Sequence, residues 1–226
     1  MKYSFSSKLQ RLGGVCNKVD RSVIRDETLL FGASILFARN SCGPLTNMVI
    51  GALEDELIAA EKWCSKNGRH VVIDTRSHML MRGFYPAIPG WHCDGYPRRA
   101  YLSQPDLLAG NPECVNYVCH VSDQDCGVSN TLFLDEESFV VDVDVNSVWS
   151  SVHKAAVELE KTTDGNNLFQ QEDGDLIEFN QETLHRAQAA KTRGWRWWFR
   201  ASCYYKPPKN DIRKQVQVYA PEGLGW

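Results

Sequence analysis

The sequence lacks a long apolar segment and an excess of basic charge. Its longest apolar run, residues 29–38, has ten residues, whereas a membrane-spanning helix needs about 20. The 25 Lys and Arg are outnumbered by 28 Asp and Glu, which gives a formal net charge of −3. A dominant basic surface for nucleic acid is therefore not indicated. The first twenty residues contain no apolar stretch typical of a secretory signal, so we expect a soluble, cytoplasmic protein without a membrane partner.

The eight cysteines include no Cys-x-x-Cys pair. In a chain without a predicted secretion signal, most of them are expected to be reduced and to act as small buried residues. Cys114, Cys119, His120 and Cys126 are close enough in sequence to be considered as a zinc site. Their spacing fits no usual pair of zinc knuckles, so packing is the preferred interpretation.

The length and composition predict one globular domain over residues 1–226. Hydrophobic residues make up 43% and charged residues 23% of the chain, which is ordinary for a soluble domain, and no linker interrupts it. We expect a mostly helical N-terminal support over residues 1–69, a strand-rich core over residues 70–205 and a C-terminal tail over residues 206–226.

Periodicity predicts two amphipathic helices and many short strands. Apolar residues recur every three or four positions over residues 46–66 and 146–161, as on one face of a helix. Runs rich in β-branched and apolar residues predict strands at 70–74, 115–121, 130–134, 139–143, 168–171, 175–179, 185–189 and 195–205. This pattern favours a mainly β fold with flanking α-helices, of the double-sheet jelly-roll kind.

Three residues form a candidate metal site. His92 and Asp94 are two positions apart, so on an extended strand their side chains point to the same face. His185 follows after 185 − 94 = 91 residues. Two histidines and one carboxylate form the facial triad of non-haem iron(II) oxygenases, which leaves coordination positions open for other ligands.

An arginine-rich strand follows the distal histidine. Arg196 and Arg200 come 11 and 15 residues after His185, and alternation along a strand puts them on one face with Ser202. Trp197 and its aromatic neighbours take the opposite face, and their burial would direct both arginines inward. The planar guanidinium can bind a carboxylate through two parallel hydrogen bonds. The strand therefore offers an anchor for an acidic ligand.

With these motifs, residues 70–205 resemble the Fe(II)/2-oxoglutarate-dependent dioxygenases, the superfamily that includes the phytanoyl-CoA and taurine dioxygenases. The resemblance implies a double-stranded β-helix core, of the cupin-like jelly-roll type. It implies that His92, Asp94 and His185 are the catalytic residues and the Fe(II) ligands. It also implies 2-oxoglutarate and O2 as cosubstrates, with succinate and CO2 as products. The predicted activity is hydroxylation of a small or modest-sized organic substrate.

The resemblance implies one set of metal ligands but leaves more than one candidate residue for the cosubstrate site. Either Arg196 or Arg200 can be the cosubstrate anchor, and residues 200–202 resemble the Arg-x-Ser motif of some members, with Ser202 as the second contact. Tyr117 and Thr131 are weaker candidates for hydrogen bonds to the cosubstrate. Residues 98 and 99 are both arginines that either line an entrance for an acidic substrate or belong to a solvated loop.

Two other functions are compatible with the same residues. One is a metal-dependent cupin enzyme that does not use 2-oxoglutarate. The other is a non-catalytic binding protein built on the same barrel, since fold-level analogy does not fix function. Formation of succinate that depends on 2-oxoglutarate would distinguish the dioxygenase from both of these alternatives. The oxidised substrate, the choice between hydroxylation, desaturation and ring chemistry, and the oligomeric state stay open at this point.

Overall fold

The computed structural model describes residues 1–14, 20–98, 104–123 and 128–220. In these ranges the chain forms twelve β-strands, four α-helices and two short 3-10 helices, Arg21–Asp26 and Leu107–Ala109. The fold is mainly β, with several antiparallel sheets and helices packed beside them. No helix in these ranges combines the length and the apolar character needed to cross a membrane.

The largest sheet has five antiparallel strands. In chain order they are β2 (Leu9–Gly14), β4 (His70–Leu80), β5 (Val115–Ser122), β9 (Asp175–Asn180) and β11 (Gly194–Tyr204), and their order across the sheet is β2-β9-β5-β11-β4. β4 and β11 pair along their whole length, from Gly194 opposite Leu80 to Tyr204 opposite His70. β11 also pairs with β5 on its other side. Its register is therefore fixed from both sides.

The remaining strands form three smaller sheets. Their bounds are β1 (Lys2–Phe5), β3 (Leu30–Phe31), β6 (Thr131–Leu134), β7 (Phe139–Asp142), β8 (Leu168–Gln170), β10 (His185–Ala187) and β12 (Asp211–Ile212). A three-stranded sheet has the order β10-β6-β8, and the two-stranded sheets pair β1 with β7 and β3 with β12.

Helices cover one face of the five-stranded sheet. The four α-helices are α1 (Ile35–Ser41), α2 (Pro44–Ala52), α3 (Glu54–Lys66) and α4 (Val148–Thr162). One core cluster joins Val49 of α2 and Leu57 of α3 to Trp197, Phe199 and Ala201 of β11. Since Trp197 and Phe199 are fully buried there, the alternation of β11 turns Arg196 and Arg200 to the opposite face.

That opposite face of the large sheet packs on the three-stranded sheet. Val118, Ile177 and Phe179 from β5 and β9 form a buried cluster with Phe133 of β6. A further cluster packs Val152 and neighbouring residues of α4 against β6 and β7. The interior between the two sheets is therefore apolar around Phe133. The face of β11 that carries the two arginines lies next to β6, which pairs with β10.

The observed elements agree with most of the predicted ones and differ at three places. The helix predicted over residues 46–66 is two helices, α2 and α3, which meet at Leu53 (φ −104°, ψ 18°). The strand predicted over 70–74 continues to Leu80, since β11 pairs with it over its full length. Residues 2–14, assigned to a mostly helical support, contain strands β1 and β2. The division into a support, a core and a tail within one domain stays a prediction.

Candidate metal centre

A backbone pairing brings the two histidines of the candidate triad together. The His92 N–H donates to the His185 carbonyl oxygen (3.1 Å), and the His185 N–H donates to the His92 carbonyl oxygen (2.9 Å). This reciprocal pair is an isolated antiparallel bridge at the start of β10. It places the two imidazole ring centres 4.8 Å apart. Chain segments 185 − 92 = 93 residues apart in sequence thus meet at one point.

Asp94 completes the cluster. One ligand atom from each of His92, Asp94 and His185 lies within 4.8 Å of the others. Asp94 Oδ2 is 3.4 Å from His185 Nε2, and Asp94 Oδ1 is 4.0 Å from His92 Nε2. Metal–ligand bonds of about 2 Å place neighbouring ligand atoms roughly 3–4 Å apart. The separations of 3.4 and 4.0 Å lie in this range, whereas 4.8 Å exceeds it by roughly 1 Å, so the three side chains must move closer together to bind one ion.

Both histidines are oriented by carbonyl groups two residues earlier in the chain. His92 Nδ1 lies 2.7 Å from the Gly90 oxygen, and His185 Nδ1 lies 3.1 Å from the Thr183 oxygen. Because a carbonyl oxygen only accepts, each Nδ1 carries a proton, so the neutral imidazole would have its lone pair on Nε2, the nitrogen nearer Asp94. Such a contact to the second ring nitrogen is typical of metal-binding histidines.

Arg200 joins Asp94 to a second carboxylate. Its Nη1 donates a hydrogen bond to Asp94 Oδ2, and its Nη2 donates to Asp74 Oδ2 at 3.0 Å. Burial alone raises the pKa of Asp94, but the Arg200 charge and the two histidines lower it well below 3.8. Burial, with a smaller contribution from His185, lowers the pKa of His92 to about 4. The Asp94 carboxylate and the His92 imidazole are therefore held in forms that can bind a cation.

Arg196 has a different environment on the same face of β11. Its side chain is buried, with Nε donating to the Ser129 carbonyl oxygen at 2.7 Å and Nη2 to Thr131 Oγ1 at 3.4 Å. Among the described residues, no carboxylate forms an ion pair with it. Burial lowers the pKa of Arg196 to about 10, although Asp173 acts in the opposite direction. Arg196 is thus a buried cation whose direct partners in the described residues are neutral.

Two buried histidines lie beside Arg196. His78 is opposite Arg196 in the pairing of β4 with β11, and His120 is opposite Trp198 in the pairing with β5. Burial, and then the nearby Arg196 charge, lowers the pKa of His78 to about 3. The same two causes lower the pKa of His120 well below 6.5. Both imidazoles are therefore neutral at neutral pH.

An open cavity of about 780 Å³ leads to the candidate metal ligands. His92, Asp94 and Arg200 line it, whereas His185 and Arg196 do not. The other walls combine aromatic and basic side chains with small and polar ones, among them Tyr96, Arg98, Trp149, Ser202, Tyr204, Lys206 and Lys209. The cavity is large enough for a small organic molecule.

The structure brings most of the predicted site residues together. Ser202 lines the cavity beside Arg200, and Thr131 contacts Arg196. Tyr117 is not brought to the site: it pairs with Ala201 and is buried with the helices on the other face of the sheet. Tyr117 lies on a strand beside β11, but its side chain points to the helix-covered face of the sheet rather than toward the candidate site.

Some predictions concern residues that the structure does not describe. Arg98 lines the cavity, whereas position 99, the second arginine considered for the entrance, lies outside the described residues. Cys126 of the rejected zinc interpretation also lies outside them. Cys119 and His120 are consecutive on β5, so their side chains point to opposite faces of the sheet.

Sequence reasoning missed Asp74, Ser129 and His78. Asp74 and His78 lie in the predicted strand and its extension, where Val72, Asp74, Arg76 and His78 alternate on one face. A strand with charged residues on its inward face could have indicated polar partners across the sheet. Ser129 acts through its backbone carbonyl group, for which the side-chain sequence gives no signal.

The comparisons with known proteins give only weak similarities. No family model and no curated protein matches the chain. One solved structure, an N-substituted L-amino acid dioxygenase from Burkholderia ambifaria AMMD in complex with alpha-KG, is 13% identical with a TM-score of 0.33, over 57% of this chain and 51% of that chain. The chain thus spans about half the length of that protein.

A second structure of an N-substituted L-amino acid dioxygenase from the same organism is 12% identical with a TM-score of 0.38, over 88% of this chain and 94% of that one. At these TM-scores the similarity carries no argument about the fold or the activity of this chain. The functional conclusion therefore depends on the site itself.

Proposed function

We propose that the chain is a non-haem Fe(II)/2-oxoglutarate-dependent dioxygenase that hydroxylates a small or modest-sized organic substrate. One observation carries the proposal: the ligand atoms of His92, Asp94 and His185 converge within 4.8 Å of one another. Two imidazoles and one carboxylate are the donor set of the facial triad. The two facing sheets around this site are consistent with a double-stranded β-helix core.

In this proposal His92, Asp94 and His185 are the metal ligands and the catalytic residues. Their orientation is set in advance, because the carbonyl groups of Gly90 and Thr183 fix both imidazole rings. When bound, the ferrous ion with 2-oxoglutarate and O2 supplies the oxidation of the substrate, with succinate and CO2 as the other products. The protein's own contribution is to bind, to orient and to exclude side reactions.

Arg196 is the proposed anchor for the distal carboxylate of 2-oxoglutarate. A buried cation is costly without an anionic partner, and the direct partners of Arg196 in the described residues are neutral. Thr131, which contacts Arg196, pairs with Ala187, two residues beyond His185 on the same face. Two residues along a strand span roughly 7 Å, a distance that a five-carbon dicarboxylate can bridge.

Arg200 is the weaker candidate for the anchor because two carboxylates already engage it. Its contacts with Asp94 and Asp74 instead make it a positioning residue that holds the Asp94 carboxylate toward the histidines. Ser202 shares its face and lines the cavity, where we place the organic substrate. The anchor and the metal-orienting cation are then two different residues of one strand.

The test is formation of succinate by the purified chain with Fe(II), 2-oxoglutarate and O2, with and without candidate substrates. Asp94→Ala should abolish succinate formation and strongly weaken Fe(II) binding, because one of three ligands is lost, while the melting temperature of the protein changes little. Asp142→Ala, which removes an exposed carboxylate on β7, is the matched control and should behave as the unmodified chain. Undiminished succinate formation by Asp94→Ala would remove the proposal. Metal binding without any dependence on 2-oxoglutarate would favour the cupin alternative.

A further inference from the structure

Three buried cysteines meet on the helix-covered side of the large sheet, away from the candidate metal centre. Cys64 lies in the last turns of α3, Cys114 directly precedes β5, and Cys203 lies near the end of β11. The Cys203 sulfur is 2.7 Å from the Cys64 sulfur and 3.3 Å from the Cys114 sulfur. Segments that are distant in sequence thus bring three thiols into direct contact.

These distances indicate bond formation between sulfurs rather than metal binding. Two thiolates bound to one metal ion at about 2.3 Å each are roughly 3.8 Å apart. The Cys64 and Cys203 sulfurs are already closer than that, and a disulfide bond needs about 2.05 Å. The two sulfurs would have to approach by only about 0.65 Å to reach that length.

The three thiols differ in acidity. A hydrogen bond with Cys203, and then burial, raises the pKa of Cys114. The hydrogen bond with Cys114 lowers the pKa of Cys203, but the one with Cys64 and burial raise it, to about 12. The guanidinium of Arg69, whose buried Nη1 has no hydrogen-bond partner among the described residues, has a smaller, lowering effect on each thiol. The hydrogen bond shared with Cys203 is the main cause that lowers the pKa of Cys64, against the effect of burial. Cys64 is therefore the best nucleophile of the three.

The cluster lies only one layer below the surface. Ser65 and Lys66, which follow Cys64, and Glu113, which precedes Cys114, are exposed. A small oxidant therefore reaches the sulfurs after a local opening at the end of α3, where helix ends open most readily.

We propose that Cys64 and Cys203 form a reversible, peroxide-driven disulfide, with Cys114 as an alternative partner for Cys203. The Cys64 thiolate attacks hydrogen peroxide, which breaks the O–O bond and, with one proton, gives a sulfenic acid and water. The Cys203 thiol then attacks the sulfenic sulfur and releases a second water. In total, two thiols and one peroxide give one disulfide and two waters. A dithiol such as dithiothreitol reverses the reaction by exchange.

The bond would fix α3 to the strand that carries Arg196 and Arg200. The crosslink closes a loop of 203 − 64 = 139 residues, and long loops give the largest stabilisation. The melting temperature of the oxidised chain should exceed that of the reduced chain by roughly 5–15 °C. This inference is independent of the proposed function, since none of the three cysteines belongs to the candidate metal centre.

The experiment treats the full-length chain with hydrogen peroxide, with and without an iron chelator, and alkylates the remaining thiols after unfolding. Peptide mapping without reduction should show a crosslink between Cys64 and Cys203 in both arms, and dithiothreitol should remove it. In Cys64→Ala the crosslink should move to Cys114 and Cys203. Cys114→Ala should retain the original crosslink, and Cys203→Ala should form neither.

Cys42→Ala is the matched control, because Cys42 is a free cysteine directly after α1 and outside the cluster, and it should give the same crosslink as the unmodified chain. The inference is overturned if Cys203 is fully alkylated after peroxide treatment, or if only sulfinic or sulfonic acids form. It is equally overturned if the crosslink appears only without the chelator, or if the native mass shows a metal ion held by these thiols.

Discussion

Two arginines on one face of β11, four residues apart, have opposite electrostatic environments. Arg200 lies between the carboxylates of Asp94 and Asp74, whereas Arg196 contacts a backbone carbonyl and a hydroxyl group. The difference arises from their partners across the sheet: Arg200 is opposite Asp74, and Arg196 is opposite His78. In the proposed function the two arginines therefore have different roles: Arg196 anchors an incoming anion, and Arg200 orients a metal ligand.

The comparison is tested most strongly by removal of the Arg196 charge. Arg196→Gln should raise the KM for 2-oxoglutarate by roughly 10–100-fold, because charge-assisted hydrogen bonds contribute about 1.5–3 kcal/mol, with a smaller change in kcat. Steady-state kinetics of succinate formation give this split. Arg193→Gln, at an exposed position just before β11, is the control. An unchanged KM for Arg196→Gln would reverse the assignment of the two arginines.

Arg200→Gln should change a different parameter. Loss of the contact to Asp94 should weaken Fe(II) binding by roughly 10-fold, as is usual for groups that orient metal ligands, and should leave the KM for 2-oxoglutarate within about threefold, since this interaction is assigned to Arg196. The measurements are a metal titration and the same kinetics. Lys214→Gln, at an exposed position that does not line the cavity, is the control. A large rise in the KM for 2-oxoglutarate would show that Arg200 contacts the cosubstrate.

The histidines near Arg196 predict a dependence of stability on pH. In the folded state the pKa of His78 is about 3, whereas an unfolded histidine titrates near 6.5. The unfolded chain therefore binds more protons, and stability is lost as the pH falls from 6.5 toward 3. At pH 5 we expect His78 to lower the free energy of unfolding by on the order of 2 kcal/mol relative to neutral pH.

Denaturant unfolding of the chain and of His78→Asn between pH 7 and pH 5 measures this contribution. His78→Asn should have a shallower pH dependence, whereas His70→Asn, at an exposed position on the same strand, should retain the full dependence. Equal slopes for the chain and for His78→Asn would contradict the account of a neutral imidazole beside Arg196.

The sequence could predict which face of a strand a side chain takes, because this depends only on the alternation of buried and polar residue types. The facing of Arg196 and Arg200 followed from the buried Trp197 and Phe199. The strand expected at His92 and Asp94 is absent: His92 forms an isolated bridge and Asp94 lies in a bend, so the two-residue period does not explain why they are close. What depends on register between strands could not be predicted. Tyr117 was placed near the site by its strand, but its partner in the sheet is Ala201 rather than Arg200, so it faces the helices.

The partner of Arg200 shows the same limit. Asp74 lies 200 − 74 = 126 residues earlier, and only the full-length pairing of β4 with β11 sets it opposite Arg200. The Cys64–Cys203 contact also depends on how α3 docks on the sheet. A single sequence gives the inward face of a strand but does not specify which residue of another strand or helix meets it.

The most direct measurement is a crystal structure of the chain with Mn(II), a redox-inactive substitute for Fe(II), and 2-oxoglutarate. We expect one metal ion about 2.2 Å from His92 Nε2, from an Asp94 carboxylate oxygen and from His185 Nε2, with the distal carboxylate of 2-oxoglutarate on Arg196. A metal ion bound elsewhere, or no ion at this cluster under saturating conditions, would contradict the account.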